Sequence, residues 1–289
     1  MEQTLLTTEL DVTEAASVEC ASCAAGVRPL PEQRVFKPWV SSATTVGVLL
    51  LIWWAVTTAG LIQPVFLPSP QAVVGKAWTV STTGFMDATL WQHLGASLGR
   101  MLVALLAAVV LAVPVGVAMG LSRRAHAILD PLIEFYRPIP PLAYLPLIVI
   151  WFGIGELSKV LLIYLAIFAP IAIATAAGVR HVDPARLRAA QALGATRWQS
   201  VLYVVLPNAL PDILTGIRIG LGSGWSTLVA AELIAATRGL GFMVQSAAQF
   251  LVTDVVVLGI AVIAIIAFAL ELGLRWLQRR LTPWKSMAS

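Results

Sequence analysis

Runs of about 20 mostly apolar residues recur along this chain, and no other property narrows its possible folds so severely. A helix of that length crosses the roughly 30 Å hydrocarbon layer of a bilayer. Lipid offers no hydrogen bonds, so each span must satisfy its own backbone, and in runs of this length that means α-helix. The runs fall near 41–62, 96–121, 138–154, 158–179, 212–236 and 254–276. The third and fourth are parted only by Gly153–Ser158, with Trp151 and Phe152 placed at interface depth. Composition agrees: 12% of residues are charged, against about 25% in soluble domains. The expectation is an all-α integral membrane protein of six transmembrane helices.

Cation placement sets an orientation. With the N-terminus inside, 14 of the 19 lysines and arginines are cytoplasmic. Arg28, Arg34 and Lys37 precede the first span, and Arg123, Arg124 and Arg137 lie between the second and third. Arg180, Arg186, Arg188 and Arg197 follow the fourth span, and Arg275, Arg279, Arg280 and Lys285 close the chain. Lys76, Lys159 and Arg238 fall outside. Both termini are therefore expected in the cytoplasm, and the net charge of +4 reflects loop arginines rather than a nucleic-acid surface. Residues 1–36 read as a mostly disordered cytoplasmic extension without a signal-peptide pattern, and 37–289 as the transmembrane domain. Cys20 and Cys23 form a C-x-x-C in that extension with no second ligand pair, so they read as incidental thiols.

One cytoplasmic stretch has helical order without hydrophobicity: Asp183–Pro207, DPARLRAAQALGATRWQSVLYVVLP. Asp183 and Pro184 start a helix, the carboxylate capping free N–H groups and the proline fitting the first turn. Ala185, Ala189 and Ala192 then share a smooth face. Gly194 sits where a left-handed stop belongs. Thr196 and Gln199 form a capping box for a second helix with Trp198, Val201, Leu202 and Val205 on its apolar face. Pro207 and Pro211 are expected to break the chain before the next span. Two capped helices joined at a glycine suit a docking element.

Within the spans, Gly216, Gly220 and Gly224 form a small-xxx-small face for close helix packing. Pro114 and Pro170 predict kinks, tolerable where a neighbour satisfies the freed carbonyl. The ionisable candidates for a transport pathway are Glu232 and Arg100. Glu232 either lines such a pathway or is a structural carboxylate bonded to Ser226, Thr227 or a neighbouring span. Arg100, near the outer boundary, reads as a snorkelling side chain. His93, His126 and His181 make no H-E-x-x-H pair, and the sequence holds no G-x-S-x-G elbow and no P-loop. An enzyme is not expected; an ion-coupled secondary transporter is the alternative, though the internal repeat such transporters usually carry is not visible here.

Ala189-Ala190, Gly194, Val204 and Leu206-Pro207 resemble the EAA loop of ABC-importer permeases, E-A-A, three residues, G, nine residues, I-x-L-P. The spacing matches throughout; Arg188 stands where the pattern has Glu, and Val204 where it has Ile. Phe85–Arg100, Tyr136–Ala172 and Gly220–Ala247 are similar to the taurine-import branch of the nitrate/sulfonate/taurine group. The resemblance implies an ABC type-1 core at about 93–277 and a coupling loop at 183–207, with Ala185, Arg188, Ala189, Ala190, Ala192, Gly194, Leu206 and Pro207 facing an ATPase. It also implies a homodimer in the cell inner membrane, two ATPase copies and an extracytoplasmic taurine- or sulfonate-binding protein. Of the nucleotide chemistry, ATP-Mg would belong to the ATPase, with no cofactor on this chain. Alkanesulfonate and nitrate are the alternative substrates.

Overall fold

The computed structural model describes residues 38–283, and the only regular secondary structure among them is helical. The expectations for residues 1–36, including Cys20 and Cys23, lie outside the described residues. Internal contacts divide the chain into Met1–Ile52 and Trp53–Ser289. The first unit contributes most of α1 (Pro38–Thr58), where Leu49, Leu51 and Ile52 are exposed.

The second unit is built on three long helices. Helix α2 (Pro70–Thr82) precedes α3 (Leu90–Leu121), which starts at a capping box: Thr89 Oγ1 accepts from Gln92 N–H, and the Gln92 side chain accepts from Thr89 N–H. Helix α6 (Glu156–Arg180) packs against both α3 and the later α9 (Leu206–Ala235). The glycine face of α9 lies on α6. A Cβ on Gly216 would stand 2.6 Å from Ala174 Cβ, and one on Gly224 2.5 Å from Ile167 Cγ1. Only bare backbone permits that approach, which substitutes dispersion contact for a hydrophobic effect that lipid does not supply. Helix α11 (Thr253–Leu281) packs on α2 and on α10 (Leu240–Gln249). Outward faces carry Leu102, Leu106 and Val110 on α3 and Ile260, Ile265 and Phe268 on α11, all exposed. Water would drive such surfaces together, whereas acyl chains solvate them.

At Pro170 the freed carbonyl finds a specific donor. Pro170 leaves the Ala166 carbonyl without its helical partner, and Ser223 Oγ on α9 donates to it at 3.0 Å. Elsewhere prolines reshape the expected spans. The expected run at 138–154 is a 3₁₀ turn (Pro141–Tyr144) and a short α5 (Leu145–Phe152), joined to the preceding α4 (Arg123–Tyr136) through a bend of 88°. Pro138, Pro140 and Pro141 remove donors and push preceding residues out of the helical region, so no helix runs through them. Four helices are long and apolar enough to cross a membrane among the described residues, five with the bent pair as one broken span. Arg137 caps α4 at this corner. Counted with the loop cations from sequence, it instead lines a pocket beside Leu165–Pro170, the middle of α6.

Candidate functional site

The element singled out between α6 and α9 is a folded elbow. Helix α7 (Pro184–Ala192) begins where Asp183 Oδ1 accepts from Ala185 N–H at 2.8 Å. It ends at Gly194, whose φ of +85° is the left-handed conformation that a Cβ disfavours. Thr196 and Gln199 then close both bonds of a capping box for α8 (Arg197–Ser200). Leu187 turns inward, onto the cluster built from Val179, Val205, Ala209 and Ile213. The other side of α7 offers Ala185, Arg188, Ala189 and Ala192, all exposed, while Ala190 is half-buried. Beside that smooth face stands Leu193, 90% exposed, one helical position beyond Ala192. The alanine pattern in the sequence omitted it, yet it is the one large apolar knob on this face.

The expected break at Pro207 and Pro211 does not occur. Val201–Val205 form a π turn that runs directly into α9, and α8 through α9 reads as one long helix. The wider turn explains the continuity, because Leu206 N–H reaches back to the Val201 carbonyl and the ladder shifts before Pro207 enters it. Asn208 Nδ2 donates to the Val204 carbonyl at 2.7 Å, and its Oδ1 accepts from Arg186 of α7. Leu206 and Pro207 thus join the elbow to a span rather than hinge it away, and Arg186–Asn208 ties α7 to the same span.

At the opposite end of α3, α6 and α9, Glu232 and Arg100 meet. Arg100 Nη1 donates to Glu232 Oε1 at 2.6 Å and to the Arg238 carbonyl at 2.7 Å. Its Nε and Nη2 grip Glu156 at 2.6 and 2.9 Å, a bidentate pair that Lys159 Nζ joins at 2.7 Å. The guanidinium is buried, so the snorkelling expectation for Arg100 is corrected. It turns inward because two carboxylates on neighbouring spans supply what interfacial water would otherwise supply.

Glu232 is fully buried and also accepts from Ser97 Oγ at 2.8 Å and Gly241 N–H at 2.9 Å. A neighbouring-span partner was one of the alternatives for this carboxylate; Ser226 and Thr227, the others, bond to backbone carbonyls instead. His93, read from sequence as a span-end residue, is buried here. Its Nδ1 accepts from Gly239 N–H, so Nε2 carries the proton and donates to the Phe85 carbonyl at 3.0 Å. Any Cβ on Gly239, at φ +141°, would collide with the Glu232 carboxylate. Loop 236–239 and the first turn of α10 are therefore moulded onto buried charge. No local sequence signal announced this, because its members come from four separate stretches.

Comparison with known proteins places this architecture. A family described as "Binding-protein-dependent transport system inner membrane component" matches residues 108–285. The chain belongs to that family. The permease is 69% identical over 244 residues to the taurine transport system permease protein TauC of Escherichia coli K12, covering 84% of this chain and 89% of the relative. It is 38% identical over 247 residues to the aliphatic sulfonates transport permease protein SsuC of the same organism, described as putative there, covering 86% and 91%. A chain of the MetNI methionine ABC transporter in an inward-facing conformation superposes with a TM-score of 0.61 at 20% identity, covering 67% of this chain and 96% of that one. The permease is thus a membrane-spanning, non-catalytic subunit of an ABC importer, multi-pass in the inner membrane, and works with an ATPase and a substrate-binding protein.

Gly194→Val tests the elbow. No atom lies within 4 Å of an added Cβ, so the cost is purely conformational, about 1–2 kcal/mol for forcing a side chain into the left-handed region. The permease should reach the membrane at normal yield while ATP hydrolysis in the assembled importer falls by about 5- to 30-fold, the factor that energy implies. Gly194→Asn should be tolerated. Equal ATPase rates for Gly194→Val and wild type would mean that the elbow's aim is unimportant.

Proposed function

We propose that this permease carries taurine inward as a homodimer, with two copies of the ATPase on the side of α7 and the binding protein on the other. Both termini then lie in the cytoplasm. The observation that carries the substrate is the 69% identity over most of the chain to a taurine permease, against 38% to a sulfonate permease of the same length class. Mechanism follows from the elbow. ATP, with its Mg²⁺ on the ATPase, closes the ATPase dimer. The α7 face seated in its cleft moves with it. Because Arg186–Asn208 and the unbroken π turn join α7 to α9, that motion tilts a whole span, and the Gly216–Gly224 contact with α6 carries it into the core. Hydrolysis resets the spans. The Arg100–Glu232 pair serves here as a clamp and not as a pathway residue, a role supported by the full occupation of Glu232 by Ser97, Arg100 and Gly241.

A strain lacking this gene and any redundant importer should fail to grow on taurine as sole sulfur source while growing on sulfate. Growth restored by the plasmid-borne gene completes the test. Undiminished growth on taurine would remove the substrate assignment, and growth lost only on longer alkanesulfonates would reassign it.

A further inference from the structure

A pocket of about 440 Å³ lies between the 88° corner and the middle of α6 and α9, within the roughly 300–1,000 Å³ range of small-molecule sites. Its polar groups are sorted by type. The corner contributes donors: Arg137, Tyr136 and Tyr144. Arg137 has no ion-pair or hydrogen-bond partner among the described residues, and the Tyr136 hydroxyl is buried beside the Ala169 backbone. Helix α9 contributes acceptors: the hydroxyl hydrogens of Ser223, Ser226 and Thr227 are spent on the carbonyls of Ala166, Gly222 and Ser223, leaving oxygen lone pairs. No carboxylate lines the pocket; the walls between the two poles are Leu165, Ala169 and Ile219.

We propose that this pocket is the substrate-selecting station of the transport path and takes a small zwitterion end to end. A sulfonate-type anion sits against the fork of Arg137 and the tyrosine hydroxyls. The ammonium sits against the neutral oxygens of Ser226 and Thr227. The inference rests on the taurine reading and refines it. Five guanidinium donors match a three-oxygen anion, whereas the ammonium meets dipoles only. That asymmetry fits a site that must release its cargo, since a buried carboxylate opposite would hold an amine too firmly to pass it on. Ser223 belongs to the frame, because its hydroxyl repairs the gap left by Pro170.

The test is taurine uptake by proteoliposomes holding the permease with its ATPase, driven by ATP and loaded binding protein. Removing a charged donor from an anion costs about tenfold or more in binding. Arg137→Gln should therefore lower uptake about tenfold or more, with Arg137→Lys recovering most of it because the charge remains. Ser226→Ala with Thr227→Val should raise the concentration for half-maximal uptake in a permease-limited assay. Membrane yield and ATPase co-purification, measured for every variant, should match wild type. Uptake by Arg137→Gln equal to wild type overturns the proposal. So does equal loss in Arg137→Lys together with failed assembly, which would make Arg137 structural. If the wild-type complex itself carries no taurine, the substrate reading fails and the pocket assignment falls with it. A wild type that transports while Arg137→Gln also transports removes the pocket alone.

Discussion

Ala189→Glu is expected to strip the ATPase from the permease while leaving the permease itself in the membrane at wild-type yield. Ala189 is exposed on α7, in line with Ala185 and Ala192 and next to the protruding Leu193. A face this smooth can be approached closely, and a carboxylate there is both bulk and an unpaired charge at a buried contact. The expected cost is on the order of 2–4 kcal/mol in docking, or roughly 30- to 1,000-fold in affinity. Arg188→Glu, which restores the residue usual in the EAA pattern, should be mild. Co-purification of the ATPase with each variant, set beside membrane yield, is the measurement. Retention of the ATPase by Ala189→Glu, with transport intact, would show that α7 is not the coupling element.

Glu232→Ala should damage the fold itself. It strands Arg100, which is 6% exposed, and leaves Ser97 and Gly241 N–H without their acceptor. Removing one partner of a buried ion pair costs about 3–5 kcal/mol. Glu156 still grips the guanidinium here, so the lower end of that range is expected. Arg100→Leu should cost as much or more, because Glu232 is fully buried and keeps no cation. Glu232→Gln retains an acceptor for Ser97 and Gly241 and loses only the charge, so it should be the mildest of the three. Thermal unfolding of the purified permease, followed by tryptophan fluorescence, ranks the variants. A Glu232→Ala protein that melts like wild type yet no longer transports would return Glu232 to the transport path.

Much of the elbow was legible because its signals are local. Asp183-Pro184, Gly194 and the Thr196–Gln199 box act over one helical turn, and each occurs where its residue spacing placed it. The spans were legible for a similar reason: hydrocarbon thickness acts on every residue of a run alike. Prolines misled in both directions. At Pro207 a π turn shifts the ladder, Pro211 sits inside the continuous α9, and Pro138–Pro141 set a corner at the start of an apparent span. Propensity alone does not distinguish these outcomes, since each depends on which neighbour can take the freed carbonyl.

Sequence by itself determined that this chain crosses a membrane and which short polar stretch has helical order. Those properties arise from solvent and from neighbours within one turn. Only the tertiary structure decided that Arg100 turns inward to Glu232 and Glu156, that Ser223 repairs the ladder at Pro170, and that Arg137 faces a pocket beside the middle of α6. Arg100 and Glu232 are 132 residues apart, and Ser223 and Ala166 are 57 apart. The reason is physical. A polar group in lipid must find a partner, but which partner it finds depends on how helices distant in sequence are packed.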